Sequence, residues 1–314
     1  MPNAKPALSI LVATDLSDGV HEALHSAIAL AQATAGTLHV VHALDVTFPR
    51  SDRGRDIGAI QKEAQETRVA LAKLLSREVP AGVKVETSRV KEGAPAEVIL
   101  AEARAIDADV IVLGTHRRRA VADRFIGSTA ERVLRESTIP CLLANAPLRL
   151  PIHRVVVPSD LTAPARRAVG AALDWAERLA PEGKAVVGVA HVLDGTSEAD
   201  VPWVGHEVEV ELRKSVRGTA DEVGSQVTTE VSVLRGSDPA LELLDYARST
   251  DAQLIVMGTN SDPVLVRAVL GSVSSAMIRH SDLPILLVPS RVRAQPQPTP
   301  RTTKAPAAKP QMQL

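Results

Sequence analysis

The chain repeats itself. Residues 107–129 read DADVIVLGTHRRRAVADRFIGST, and residues 251–273 read DAQLIVMGTNSDPVLVRAVLGSV. Gly114 and Gly258, Gly127 and Gly271, and Pro140 and Pro284 each stand 144 residues apart, while Asp15 and Asp160 stand 145 apart. A near-constant shift at four unrelated landmarks marks an internal duplication, so the fold of one half must serve for the other. At 314 residues the chain has length for two domains, each able to bury its own core. The expected units are residues 7–147 and 151–290. His42 and His191 are 149 apart, which puts the difference between the copies in loops and in the second helix, where insertions are tolerated.

Each half alternates strand and helix. In the first, apolar runs at Leu8–Ala13, Leu38–Leu44 and Pro140–Ala144 predict buried strands, and Val83–Val90 predicts a more exposed one. Amphipathic stretches at His21–Ala35, Gln61–Leu75, Ala96–Ala105 and Ser128–Arg135 predict the helices between them. Val110–Leu113 is apolar without alternation, the pattern of a strand covered on both faces of a parallel sheet. From Pro151 the order restarts, with HRVVVP in place of LSILVA and Ser159-Asp160-Leu161-Thr162 in place of Thr14-Asp15-Leu16-Ser17. Unbroken β-α alternation argues two Rossmann-like α/β domains with doubly wound, five-stranded parallel sheets.

Gly114 and Gly258 stand where the fourth strand leaves its sheet, at the edge where such sheets bind ligands. Gly127-Ser128 and Gly271-Ser272 stand where a helix begins. A helix start offers unpaired amides and a partial positive charge, and glycine lets an anion come close to the backbone, so a phosphate-bearing ligand held twice is one reading. The plain reading is that the glycines turn the chain, the serines cap helices, and Asp15 or Ser17 caps the first helix.

Composition removes several function classes. A net charge of −1 exerts no general pull on nucleic acid or membrane, and aromatics at 2% supply no stacking platform for single strands. The single cysteine, Cys141, excludes an intrachain disulfide framework and suits a reducing compartment. The apolar run after Ala7 stops at Asp15, too short for a signal or an anchor, so a cytoplasmic location is expected. His21 and His25 lie four apart but have no third ligand, so no metal site is expected. No P-loop, GxGxxG or GxSxG appears, and no catalytic residue is assigned. Residues 291–314, with five prolines and no apolar period, are expected to be a disordered tail.

On these residues the chain resembles the universal stress protein family in its tandem form, over nearly all of its length but the tail. The nucleotide-binding branch of that family carries Gly-x2-Gly-x9-Gly-Ser/Thr after the fourth strand. The outer glycines and the serine are in register here, but Arg117 and Ser261 replace the inner glycine. The resemblance implies a strand order of 3-2-1-4-5, pairing of the two halves within the chain through their fifth strands, with a homodimer left open besides, and binding of ATP with Mg²⁺. Carried over by position, Thr14 and Asp15 lie near the ribose and Ala43 beside the adenine. Leu113, Gly114 and His116 lead into the loop, and Gly127, Ser128 and Thr129 meet the phosphates. The second copy supplies Ser159, Asp160, Val192, Met257, Gly258, Asn260, Gly271, Ser272 and Val273. Arg117 or Ser261 either crowds the loop or, in the case of Arg117, reaches a phosphate itself, and the neighbouring Arg118, Arg119 and Arg124 are either a solvated face or phosphate partners. Two other functions stay open: an interaction module without nucleotide, and a slow ATPase.

Overall fold

A computed structural model of the chain describes residues 5–16, 21–45, 57–117, 124–125, 127–180, 184–193, 201–259 and 271–290. The expected tail at 291–314 lies outside them. The first half runs β1 (Ser9–Ala13), α1 (Glu22–Thr34), β2 (Thr37–Leu44), α2 (Ile57–Glu78), β3 (Lys84–Glu92), α3 (Pro95–Ala105) and β4 (Val110–Gly114). Two short strands follow, β5 (His116–Arg117) and β6 (Arg124–Phe125), then α4 (Ser128–Glu136) and β7 (Cys141–Ala144). The second half runs β8 (Arg154–Pro158), α5 (Ala163–Leu179), β9 (Val186–Leu193), α6 (Val201–Val223), β10 (Thr228–Arg235), α7 (Pro239–Ser249), β11 (Leu254–Gly258), α8 (Ser272–His280) and β12 (Ile285–Val288).

The α/β class is as expected, and the two five-stranded halves are continuous. They join into a single ten-stranded sheet ordered β10-β9-β8-β11-β12-β7-β4-β1-β2-β3. Within each half the strands are parallel, and the seam is antiparallel, with Ile285 opposite Leu143, Leu286 opposite Leu142 and Leu287 opposite Cys141. All four residues of β7 and of β12 are buried, so either strand left as an edge would expose apolar surface and unpaired amides. The outer edge β3 carries Lys84, Glu86, Arg89 and Lys91, the charges that keep an edge strand from pairing further.

Two cores flank the sheet. One, holding Leu24, Leu71, Leu173 and Leu212, is covered by α1, α2, α5 and α6; the other, holding Val98, Val133, Leu243 and Met277, is covered by α3, α4, α7 and α8. Because the seam is antiparallel, the carboxyl ends of the strands in the two halves face opposite edges of the sheet.

The first-helix caps differ from expectation. Helix α1 begins at Glu22, past Asp15, and its N-cap is His21 with no side-chain cap. The reason is local: Leu16 takes a left-handed conformation, φ 56°, which breaks the path from strand into helix. Ser17, the other expected cap, lies outside the described residues.

Candidate functional site

At the carboxyl edge of each half-sheet the strand exits and a helix start enclose a cleft. In the first half the exits of β1, β2 and β4 bring together Thr14, Asp15, Ala43, Leu113 and Gly114, and the start of α4 adds Gly127, Ser128 and Thr129, around a cavity of about 340 Å³. In the second half Ser159, Asp160, Val192, Met257 and Gly258 meet Gly271, Ser272 and Val273 around about 380 Å³. Both volumes fall within the range of small-molecule sites. Of the twenty candidate residues, sixteen line one cleft or the other. His116 and Arg117 lie on β5, whose backbone pairs antiparallel with Phe125 and Arg124, so the segment read as a plain loop opens as a two-stranded ribbon. The strand exit thereby satisfies amides that a bare loop would leave to water. The side chains of His116, Arg117 and Arg124, and all of Arg118, Arg119, Asn260 and Ser261, lie outside the described residues.

The helix starts are built alike. Gly127 (φ −58°, ψ 150°) and Gly271 (φ −53°, ψ 158°) are the N-caps of α4 and α8, and among the described residues no side chain caps either helix. Ser128 and Ser272 are the first helical residues, so the plain reading of these serines as caps does not hold. The first-turn amides have no partner within their own helix, as at any helix start. Among the described residues, a Cβ built at Gly271 meets nothing within 4 Å, and one built at Gly114 meets only the Ala23 Cβ at 3.8 Å. Neither backbone is left-handed, so neither conformation nor packing against the described residues demands glycine at these positions. Gly258 differs: a Cβ there would stand 2.2 Å from the Pro164 carbonyl oxygen, so the strand end and the start of α5 require it.

Sequence reasoning missed part of the walls. His21, Pro95 and Thr115 line the first cleft, and Thr162, Pro239 and Thr259 the second. Pro95 and Pro239 open α3 and α7 at the same 144-residue spacing as the other landmarks, and that spacing was the signal available for them. Among the described lining residues neither cleft has a lysine or arginine; the acidic side chains are Asp15 and Glu22 in one and Asp160 in the other, and His21, His42 and His191 also line the walls. His25 Nε2 lies 2.9 Å from Glu78 Oε2, tying α1 to α2.

Comparison with known proteins adds the relationship. The family model described as "Universal stress protein family" matches residues 8–145 and again 151–289. A universal stress protein of Thermus aquaticus is 37% identical over 139 residues, covering 44% of this chain and 98% of that protein. A universal stress protein of Mycobacterium tuberculosis H37Rv is 26% identical over 261 residues, covering 80% of this chain and 85% of that one. The crystal structure of a universal stress protein from Archaeoglobus fulgidus shares the fold, with a TM-score of 0.67 and 20% identity over 90% of this chain and 98% of that one. With both halves matched by one model and the fold shared across nearly the whole chain, this protein belongs to the universal stress protein family as a tandem member.

Proposed function

We propose that the chain binds adenine nucleotide, as ATP with Mg²⁺, in its two clefts, and serves in the cytoplasm as a nucleotide sensor or store within the stress response. The repeats at 7–147 and 151–290 act as two copies of one binding unit, paired within the chain through β7 and β12 in the way two chains of a dimer would pair. One observation carries this reading: glycine stands at Gly114 and Gly271, on the cleft wall, where neither packing against the described residues nor backbone conformation calls for it. A ligand that approaches the backbone does call for it.

The donor set suits such a ligand. The amides at 127–129 and 271–273 and the hydroxyls of Ser128, Thr129 and Ser272 suit phosphate oxygens at the positive end of a helix. Asp15 and Asp160 suit ribose hydroxyls, and the walls at Ala43 and Leu113, or Val192 and Met257, suit an adenine ring. With no described cationic side chain on the walls, a bound Mg²⁺ would supply the charge that offsets the phosphates.

The test is thermal unfolding with and without millimolar ATP and Mg²⁺. The wild-type chain is expected to gain stability, about 2.7 kcal/mol at a hundredfold excess over Kd. Gly114→Val and Gly271→Val should each remove part of that gain and together remove it, with the ligand-free transition nearly unchanged. A wild-type chain that gains nothing from ATP would leave the interaction module as the better account.

A further inference from the structure

The loop that carries Asp15 is built in the same unusual way as the loop that carries Asp160. In the first half the Thr14 amide donates to the Val41 carbonyl at 3.0 Å, and the Leu16 amide donates to Thr14 Oγ1 at 3.2 Å. In the second, the Ser159 amide donates to the Ala190 carbonyl at 2.9 Å, and the Leu161 amide donates to Ser159 Oγ at 3.2 Å. Leu16 and Leu161 both lie in the left-handed region, at φ 56° and φ 64°, where a residue with a side chain is strained. Both leucines are partly buried against the same core, which anchors the strained residue from one side.

The other anchor is a histidine. His42 Nδ1 lies 2.9 Å from the Thr14 carbonyl oxygen, and His191 Nδ1 lies 2.7 Å from the Ser159 carbonyl oxygen. A carbonyl can only accept, so Nδ1 carries the proton in both rings. That bond survives protonation of the ring, since Nδ1 keeps its hydrogen in either state. The residue before each aspartate is therefore held at both of its backbone polar groups, amide and carbonyl, by the end of the neighbouring strand. A strained turn persists only where its surroundings over-determine it, and here they do so twice, at a cleft wall each time.

We infer that His42 and His191 are positioning residues for the ligand: each, through its Nδ1–H, holds the turn that sets Asp15 or Asp160 on the cleft wall. The inference rests on the nucleotide reading of the clefts for its ligand, and on the two hydrogen bonds for its mechanism. It assigns neither histidine a direct contact with nucleotide.

The test uses the full chain, with calorimetric titration of ATP and Mg²⁺ and native-state amide exchange. His42→Ala is expected to weaken binding at one site about tenfold and His191→Ala at the other, as loss of one aligned hydrogen bond implies. Exchange at the Leu16 or Leu161 amide should quicken by about the same factor. His42→Asn and His191→Asn, which place an N–H donor near the position of Nδ1 and nothing at the position of Nε2, should restore both readouts. Alanine variants that bind and exchange like wild type would overturn the inference, as would asparagine variants that fail to recover, since the ring would then act through Nε2. If wild type takes up no ATP, the nucleotide reading fails by that result alone. Exchange at Leu16 and Leu161 then decides the clamp: unchanged protection in the alanine variants overturns it, and faster exchange corrected by asparagine upholds it.

Discussion

A methyl group added at Gly258 would stand 2.2 Å from the Pro164 carbonyl oxygen and 2.5 Å from its carbon, so the start of α5 would have to move away from β11. Gly258→Ala is accordingly expected to destabilise the chain by about 1–3 kcal/mol in urea unfolding. Gly271→Ala, whose added methyl group meets no described residue within 4 Å, should stay within about 0.5 kcal/mol of wild type. The contrast was only half legible: both glycines stand out as matched landmarks, but which one serves packing depends on where Pro164 comes to rest, a contact between segments 94 residues apart. Cys141 behaves as its apolar surroundings predict. Burial pushes its thiol up to about 12, against a weaker opposing pull from the Ser137 hydroxyl. Native protein at pH 8 should therefore resist alkylation and react only after denaturant is added; rapid labelling of the folded chain would contradict this placement.

At the level of elements, the fully buried strands were legible because their apolar runs have no solvent face. VIVL and LIVM stand unbroken in the sequence and are buried throughout in the fold. The ribbon of β5 and β6 was not legible, since two-residue strands carry no periodicity. The start of α1 was legible to within a residue, but the exclusion of Asp15 from its cap was not, since that turns on a left-handed Leu16 that no sequence pattern announces. The seam was foreseeable in kind, because CLLA and ILLV are too apolar to remain edges, yet merger into one sheet required the actual register of Leu286 against Leu142. That pair predicts a measurable burden on the seam. Leu286→Ala, at a fully buried position, should cost about 2–5 kcal/mol in urea unfolding; a loss below about 1 kcal/mol would show that the seam does not bear on stability.

For the molecule as a whole, a sheet that runs unbroken through both halves argues that they unfold together. Calorimetry should show one transition with calorimetric and van't Hoff enthalpies equal, and two resolved transitions would contradict the continuous sheet. The halves are also tied near the chain start, where Lys5 Nζ lies 2.7 Å from both Asp174 and Glu177 on α5, and Arg178 donates to the Pro6 carbonyl at 3.1 Å. Burial of Asp174 would raise its carboxyl, but the hydrogen bonds from Lys5 and Arg178 outweigh it and hold the group below its ordinary value. A carboxylate depressed in the folded state stabilises above its unfolded value near pH 4 and loses that contribution as pH falls through the lower folded value. Asp174→Asn should accordingly flatten the fall of Tm below about pH 4, modestly, because the cluster is partly exposed to solvent. The central claim concerns the two clefts on opposite edges of this sheet, and it is tested most directly by calorimetric titration of the full chain with ATP and Mg²⁺. The account predicts saturable heat with up to two nucleotides per chain, lowered by one site in Gly271→Val; no heat at millimolar ATP, together with no adenine nucleotide released on denaturing the purified protein, would contradict it.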